Sequence, residues 1–207
     1  MGMLPEQLNE CKMYGIELDT ISGEIARQLY QKNTIAVKAY QDVELPDSFF
    51  DVAVGNVPFD DLKPYDKKYD KYKFVLHDYF FAKTLDKVRP NGIIAFITSK
   101  GTMDKKDEST RKYISQRAEL IGAIRLPNDT FQKNAGTTVT TDIIFLKKRD
   151  KVTDIDEEWI HLGTNENGIE MNNYFITHPE MILGNMEMIS GRFGHCLLYT
   201  SPSPRDR

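Results

Sequence analysis

Only two of the 207 residues are cysteine, Cys11 and Cys196. That is too few for a disulfide framework or a cysteine-based zinc site, and it fits a reducing, cytoplasmic setting. Long apolar runs are missing as well. The longest, Ile93 to Ile97 and Ile143 to Leu146, are strand-sized and fall well short of the ~20 residues a membrane-spanning helix needs. The opening MGMLPEQLNE has neither the basic nor the apolar region of a signal peptide. Basic charge is not in excess either: 27 Lys+Arg stand against 31 Asp+Glu, a net charge of −4. The chain is therefore no generic polyanion binder, and any contact with nucleic acid must come from a local patch. No His/Asp/Glu set has metal spacing, and no Gly-x-Gly-x-x-Gly opens a helix, which disfavours a nicotinamide dehydrogenase.

What is present is the composition of an ordinary globular chain, 40% hydrophobic and 28% charged. The length suggests one domain with an appendage. Strand-like runs alternate with helical patterns up to Arg149. Strands are expected at Tyr14 to Leu18, Thr34 to Ala39, Phe50 to Gly55, Gly92 to Thr98, Leu120 to Leu126 and Asp142 to Lys147. Helices are expected over residues 20–30, where Ile21, Ile25 and Leu29 recur at four-residue spacing, over 74–88 and over 108–118. Pro90-Asn91-Gly92 reads as a turn. This alternation predicts an α/β domain with a doubly wound, mostly parallel sheet, covered on both faces, over residues 1–149. Its ligands should lie at the carboxyl ends of the strands. Residues 150–190 show no clear period and read as a small appendage or a linker to a further domain. Residues 191–207 read as disordered. The last eleven, LLYTSPSPRDR, look foreign to the rest of the chain.

The segment that carries chemistry is Asn56-Val57-Pro58-Phe59, directly after a buried strand. In a chain of this composition the pattern Asn-x-Pro-[Phe/Tyr] arises by chance about 0.05 times. The plain alternative is a strand-ending turn, with Asn as turn former and Pro as terminator.

In context the segment resembles motif IV of the S-adenosylmethionine-dependent amino-methyltransferases, chiefly the N6-adenine DNA methyltransferases (Asn/Asp-Pro-Pro-Tyr/Phe). Neighbouring segments follow in the family's order: YGIELD, GNVPF, HDYFFAKTLDKVRPNGIIAFITSKGTMD, GAIRLPNDTF and DIIFLKK. The longer run looks like methylases fused to helicase-like ATPases in bacterial mobile elements, and the resemblance covers about residues 1–190. It implies a Rossmann-like class I fold, S-adenosylmethionine as cofactor, double-stranded DNA as substrate, a helicase-like ATPase domain in the same parent polypeptide and a bacterial cytoplasmic location. By the same resemblance the Asn56 side-chain oxygen and the Val57 carbonyl orient the target amine. Pro58 holds Val57 extended, and Phe59 stacks on a base that has left the duplex. Val57 stands where most of the family has Pro, but the group required is a backbone carbonyl, which Val supplies equally. Glu17 matches the acidic residue that holds the cofactor ribose. Asp42 falls near the acidic contact to the cofactor adenine, with Gln41 as its rival. Phe131 matches a later aromatic against the flipped base, or is a core residue.

The family's cofactor loop, an acidic or aromatic residue followed by Gly-x-Gly after the first strand, has no counterpart here. Gly2-Met3-Leu4-Pro5 looks like the segment that follows it. The expectation is a chain that lacks the first strand and its loop, binds S-adenosylmethionine weakly or not at all, and is inactive alone. Micromolar affinity by calorimetry is the result that overturns this.

Two stretches could touch phosphate. Residues 60–73 interleave Lys63, Lys67, Lys68, Lys71 and Lys73 with Tyr65, Tyr69 and Tyr72. Residues 99–117, including Lys105 and Lys106, carry a net +3 from six cations and three carboxylates. A solvated surface is the usual reading of such runs. His77 and Asp78 are adjacent on a helix and are expected to point apart. Two rival functions share these features: methylation of a protein glutamine amide, and a non-catalytic module that positions a helicase-like ATPase on DNA.

Overall fold

The computed structural model describes residues 5–8, 10–131, 139–191 and 194–200. It divides into two compact units, Met1–Pro46 and Asp47–Arg207. The strands accordingly lie in separate sheets.

In the first unit, β1 (Tyr14–Glu17) and β2 (Thr34–Val37) pair in parallel, with Glu17 opposite Val37. The crossover between them is α1 (Thr20–Leu29), whose cap residue Asp19 accepts from the Ser22 N–H at 2.7 Å. That bond holds the Asp19 carboxyl below its usual range. The helix was legible in the sequence, but its orientation was not. Ile21, Ile25 and Leu29 are 71%, 53% and 68% exposed. The face turned to the sheet carries Gly23, where a Cβ would come within 2.6 Å of a Val37 methyl. The absent side chain lets the helix close on β2, and close approach outweighs the apolar stripe.

The second unit is built on a four-stranded sheet in the order β3-β4-β6-β5. Its strands are β3 (Phe50–Asn56), β4 (Val88–Ser99), β5 (Ala118–Leu126) and β6 (Thr141–Lys148). β3 and β4 are parallel, whereas β6 lies antiparallel between β4 and β5. The α/β class therefore holds, with a mixed sheet in place of a mostly parallel one. Antiparallel neighbours need no long crossover between them, so β6 can return directly beside β5.

Helix α2 (Leu76–Lys87) joins β3 to β4 and buries Tyr79, Phe81 and Leu85. Phe81 meets Phe96 of β4 edge-to-face at 5.2 Å. Along β4 the buried residues Ile94, Phe96 and Thr98 alternate with half-buried Ile93, Ala95 and Ile97. This is the period of a strand with one face in the core. Each such buried aliphatic or aromatic side chain contributes roughly 1.5–3 kcal/mol.

The expected turn at Pro90-Asn91-Gly92 lies inside β4 instead. It forms an irregularity in which the register jumps from Phe50↔Val88 to Val52↔Ile93. Asn91 takes the left-handed φ of 63° there. A Cβ on Gly92 would come within 2.8 Å of the Asp51 carbonyl oxygen and 2.4 Å of a Val88 methyl. Gly92→Ala is expected to destabilise the fold by about 1–3 kcal/mol through overpacking. The check is a lowered urea midpoint at unchanged slope.

Two short helices follow β4, α3 (Gly101–Asp104) and α4 (Ser109–Ser115). After β6, the stretch without sequence period packs as part of the same unit. β7 (Leu162–Thr164), β8 (Glu170–Asn172) and α5 (Asn173–Thr177) accompany buried Trp159, Ile160, Met171 and Phe175. The Asn172 amide donates to the carbonyls of Met103 at 2.9 Å and Trp159 at 2.8 Å. These long-range bonds have no local periodicity to announce them. Residues 191–207 read as disordered, yet β9 (Asn185–Gly191) pairs antiparallel with β10 (Gly194–Thr200). The foreign-looking tail thus contributes strand residues up to Thr200, and its remainder, 201–207, lies outside the described residues. No helix among the described residues is long and apolar enough to cross a membrane.

Candidate active site

The register sets what lies at the sheet edge. Asn56 is opposite Ile97, Ser99 is opposite Thr141, and Leu126 is opposite Thr141. The carboxyl ends of β3, β4 and β5 therefore lie on one edge, together with the start of β6. Asn56 is the last residue of β3 and is exposed. Its carboxamide has no hydrogen-bond partner among the described residues.

Val57 extends the ladder by one bond, its N–H donating to the Ile97 carbonyl at 3.0 Å, and its side chain is buried. A proline at this position could not make that bond, so the valine has a structural role of its own. Its carbonyl oxygen accepts no hydrogen bond from the described residues. Pro58 is exposed, and Phe59 keeps 41% of its surface in solvent. A carboxamide, a backbone acceptor and an aromatic ring thus stand free at the carboxyl edge of a strand, where open α/β sheets place their ligands. Phe131 lies in the turn beyond β5, at the same edge, and is half-buried. Three strand spacings separate β3 from β5, about 14 Å at the usual strand separation.

In the first unit, Glu17 ends β1 and is half-buried, with Oε1 accepting from the Asp19 N–H at 2.9 Å. Asp42 ends the short 3-10 turn after β2 (Tyr40–Asp42) and is exposed. Both follow the carboxyl ends of a parallel strand pair. The second oxygen of Glu17 and the open carboxylate of Asp42 supply acceptors for hydroxyl or amino donors. This acceptor chemistry fits the adenosine half of a nucleoside cofactor.

The lysines sort into two kinds. Lys68 is committed, bonding Asp86 at 2.7 Å and Asp47 at 3.2 Å. Asp86, its strongest partner, holds the ammonium above its usual pKa. Lys105 is also committed: its Nζ bonds buried Asp78, and the Thr110 hydroxyl at 2.9 Å. Lys63, Lys67, Lys71 and Lys106 are exposed. Lys106 has only a 4.0 Å approach to Glu170. His77 and Asp78 do not point apart, since Nε2 lies 3.6 Å from Oδ1 with both residues buried. Burial holds the His77 imidazole below its usual pKa. Among the described residues there is no metal-holding cluster.

Sequence reasoning missed one buried charge site at this edge. Arg125 of β5 is fully buried and grips Asp142 of β6 through two bonds of 2.8 and 2.9 Å. Its third nitrogen meets Asp104 of α3 at 2.8 Å, and its guanidinium lies 4.2 Å from the Phe175 ring centre. The available signal was an arginine inside the apolar run Leu120 to Leu126 and an aspartate at the head of the run Ile143 to Leu146.

Comparison with known proteins bears on this arrangement. The family model of the Eco57I restriction-modification methylases matches residues 9–131. Defense against restriction protein B of Escherichia phage P1 is 31% identical over 142 residues, which is 66% of this chain and 6% of that protein. A Listeria monocytogenes protein assigned to the class I S-adenosylmethionine-dependent methyltransferases superposes with a TM-score of 0.55 at 18% identity, over 70% of this chain and 46% of its own. The type I restriction-modification methyltransferase subunit of Streptococcus thermophilus superposes at 0.51 with 20% identity, over 66% of this chain and 34% of its own. The fold is that of the class I methyltransferases, and the chain spans less than half the length of each of these relatives.

Proposed function

The chain belongs to the Eco57I restriction-modification methylase family, and from that premise we propose that it is catalytic sequence of a DNA adenine-N6 methyltransferase. The observation that carries the reading is the pair of unengaged acceptors at the end of β3, the Asn56 carboxamide and the Val57 carbonyl, beside an exposed Phe59. An exocyclic amine conjugated to an aromatic ring is a poor nucleophile because its lone pair is delocalised. Two acceptors that bond both N–H hydrogens favour a pyramidal nitrogen and direct the lone pair outward. No side-chain base is needed, and catalysis is positioning by preorganised dipoles. The amine is unreachable inside a duplex, so the base must leave the stack, and Phe59 and Phe131 are its stacking partners.

S-adenosylmethionine is the cofactor in this reading and, when bound, supplies the electrophilic methyl group. Glu17 accepts from its ribose hydroxyls and Asp42 from its adenine amine. Lys63, Lys67, Lys71 and Lys106 contact DNA phosphate, while Lys68 and Lys105 are held by carboxylates and serve the fold. The phage relative's name supports a role in protecting a mobile element's own DNA from restriction. A helicase-like ATPase in the same polypeptide belongs to this proposal as well.

The test is product identity. Labelled methyl groups are transferred by this chain and by any longer polypeptide that carries it, the DNA is digested, and the nucleosides are separated. N6-methyladenine is the expected product. Label found only on a protein glutamine, or DNA binding without transfer, overturns the reading. Phe59→Ala is expected to lose the stacking of one base, ~1–3 kcal/mol, read as a roughly 5- to 150-fold fall in kcat/KM. Phe59→Tyr keeps the ring and the rate.

A further inference from the structure

Four residues beyond Phe59 the chain enters a hollow of about 200 Å³ that no step above uses. Its floor consists of the rings of Tyr69, Phe74 and Tyr79, all buried. The two floor hydroxyls are turned to carboxylates: Tyr69 donates to Asp86 at 2.6 Å and Tyr79 to Asp66 at 2.7 Å. The floor therefore presents ring carbon rather than unsatisfied polar atoms. Tyr65 lines the hollow and is 82% exposed, an unusual placement for an aromatic with no packing task of that size. Lys63 and Lys73 stand on the rim. Neither forms an ion pair among the described residues. Lys73 sits at a left-handed φ of 55°, which closes the 3-10 turn Asp70–Tyr72. Asp70 also lines the hollow, and its carboxylate accepts from the Asp66 N–H at 2.9 Å.

The space is below the ~300–1,000 Å³ of sites for drug-sized ligands, and it suits one planar heterocycle. Ring faces for stacking with cations at the rim are the two elements of sequence-tolerant single-strand binding. Four residues span at most ~14 Å. At a rise of ~3.4 Å per nucleotide along one strand, that is within about four nucleotides of a base held at Phe59. We propose that this hollow takes a second, unpaired nucleobase of the strand that carries the target. The base stacks on Tyr65 above the ring floor, with its phosphates at Lys63 and Lys73. This rests on the DNA-methyltransferase reading above and adds a subsite that fixes the strand beside the reacting base.

The experiment measures anisotropy of a short fluorescein-labelled oligothymidylate, with photo-crosslinking of the same probe carrying 5-iodouracil. Tyr65→Ala is expected to weaken binding roughly 5- to 150-fold, the worth of one stacked base. Tyr65→Phe is expected to bind as the native chain does, since stacking does not need the hydroxyl. Crosslinks should map to the segment between residues 60 and 79. Because the Tyr65 side chain is largely in solvent, its removal does not test folding. Unchanged affinity of Tyr65→Ala, equal loss in Tyr65→Phe, or crosslinks only outside that segment each overturn the proposal. Methyl transfer separates the two readings. Native transfer by a chain whose Tyr65→Ala variant still binds the probe sinks the subsite alone. Absence of any methylated nucleoside from a longer polypeptide that carries this chain, with the Tyr65 effect intact, sinks the enzyme reading instead.

Discussion

Arg125→Met is expected to destabilise the Asp47–Arg207 unit by about 3–5 kcal/mol, the usual cost of leaving a buried charge without its partner. Asp142 is fully buried, and both of its oxygens are bonded by this one guanidinium. Asp104 loses its 2.8 Å partner in the same change. Burial already pushes the Asp142 carboxyl above its usual pKa, against the pull of Arg125. Without the arginine that push is unopposed, and the folded variant binds a proton that the unfolded chain releases near pH 4. Stability falls with rising pH wherever the folded state holds more protons than the unfolded state. The deficit of Arg125→Met should therefore be smaller near pH 5 than near pH 8, measured by urea unfolding at both. Pairing it with Asp142→Leu removes the orphaned charge and should recover most of the loss, because a buried ion pair is often no better than an apolar pair. A single-variant loss that is pH-independent, or under about 1 kcal/mol, would show that the pair is not held as described.

The consequence reaches the sheet edge. Arg125 joins β5, β6 and α3, and its carbonyl accepts from the Leu183 N–H at 2.9 Å. The same residue thus ties the aperiodic C-terminal stretch to the edge from which Asn56-Val57-Pro58-Phe59 emerges.

Local pattern carried much of this in advance. Strands β1 to β6 and helices α1, α2 and α4 announce themselves by period, and the tetrapeptide falls at a strand end because strand and turn chemistry are both local. What stayed illegible depends on partners distant in the chain. Lys105 and Lys106 are the same residue type side by side, yet one bonds buried Asp78 while the other stands in solvent. Nothing within a few residues separates them. The stripe Ile21, Ile25, Leu29 announces a helix but not which face docks, because that is decided by contact between Gly23 and Val37. Arg125 and Asp142 read as interruptions of apolar strands until register places them opposite one another. The irregularity at Asn91-Gly92 looks like a turn because its backbone demands are those of a turn, and only the pairing with β3 shows the strand continuing through it. The free state of the Asn56 carboxamide could not be read from sequence either.

Asn56→Ala is expected to lower the methyl-transfer rate by about 10²–10³-fold, the scale for removing one preorganised polar group from a transition state. The loss should fall on kcat, with KM for DNA little changed. The amine is planar in the ground state, and the acceptors bond it best as it becomes pyramidal. Folding should be untouched, since the side chain is exposed and bonds nothing among the described residues. Asn56→Asp retains an acceptor oxygen and should lie between the native and alanine rates. Val57→Ala leaves the backbone carbonyl in place, so it should keep transfer while losing the packing of a buried side chain. The three variants thus separate the acceptor from the side chain that carries it. Because Asn56 has no proton to titrate, the ratio of native to alanine rates should be the same at every pH. A ratio that varied with pH would indicate a side-chain base elsewhere. Equal and measurable single-turnover incorporation by a longer polypeptide that carries this chain and by its Asn56→Ala variant would remove the carboxamide from the mechanism, and with it the argument from the end of β3 to an amine.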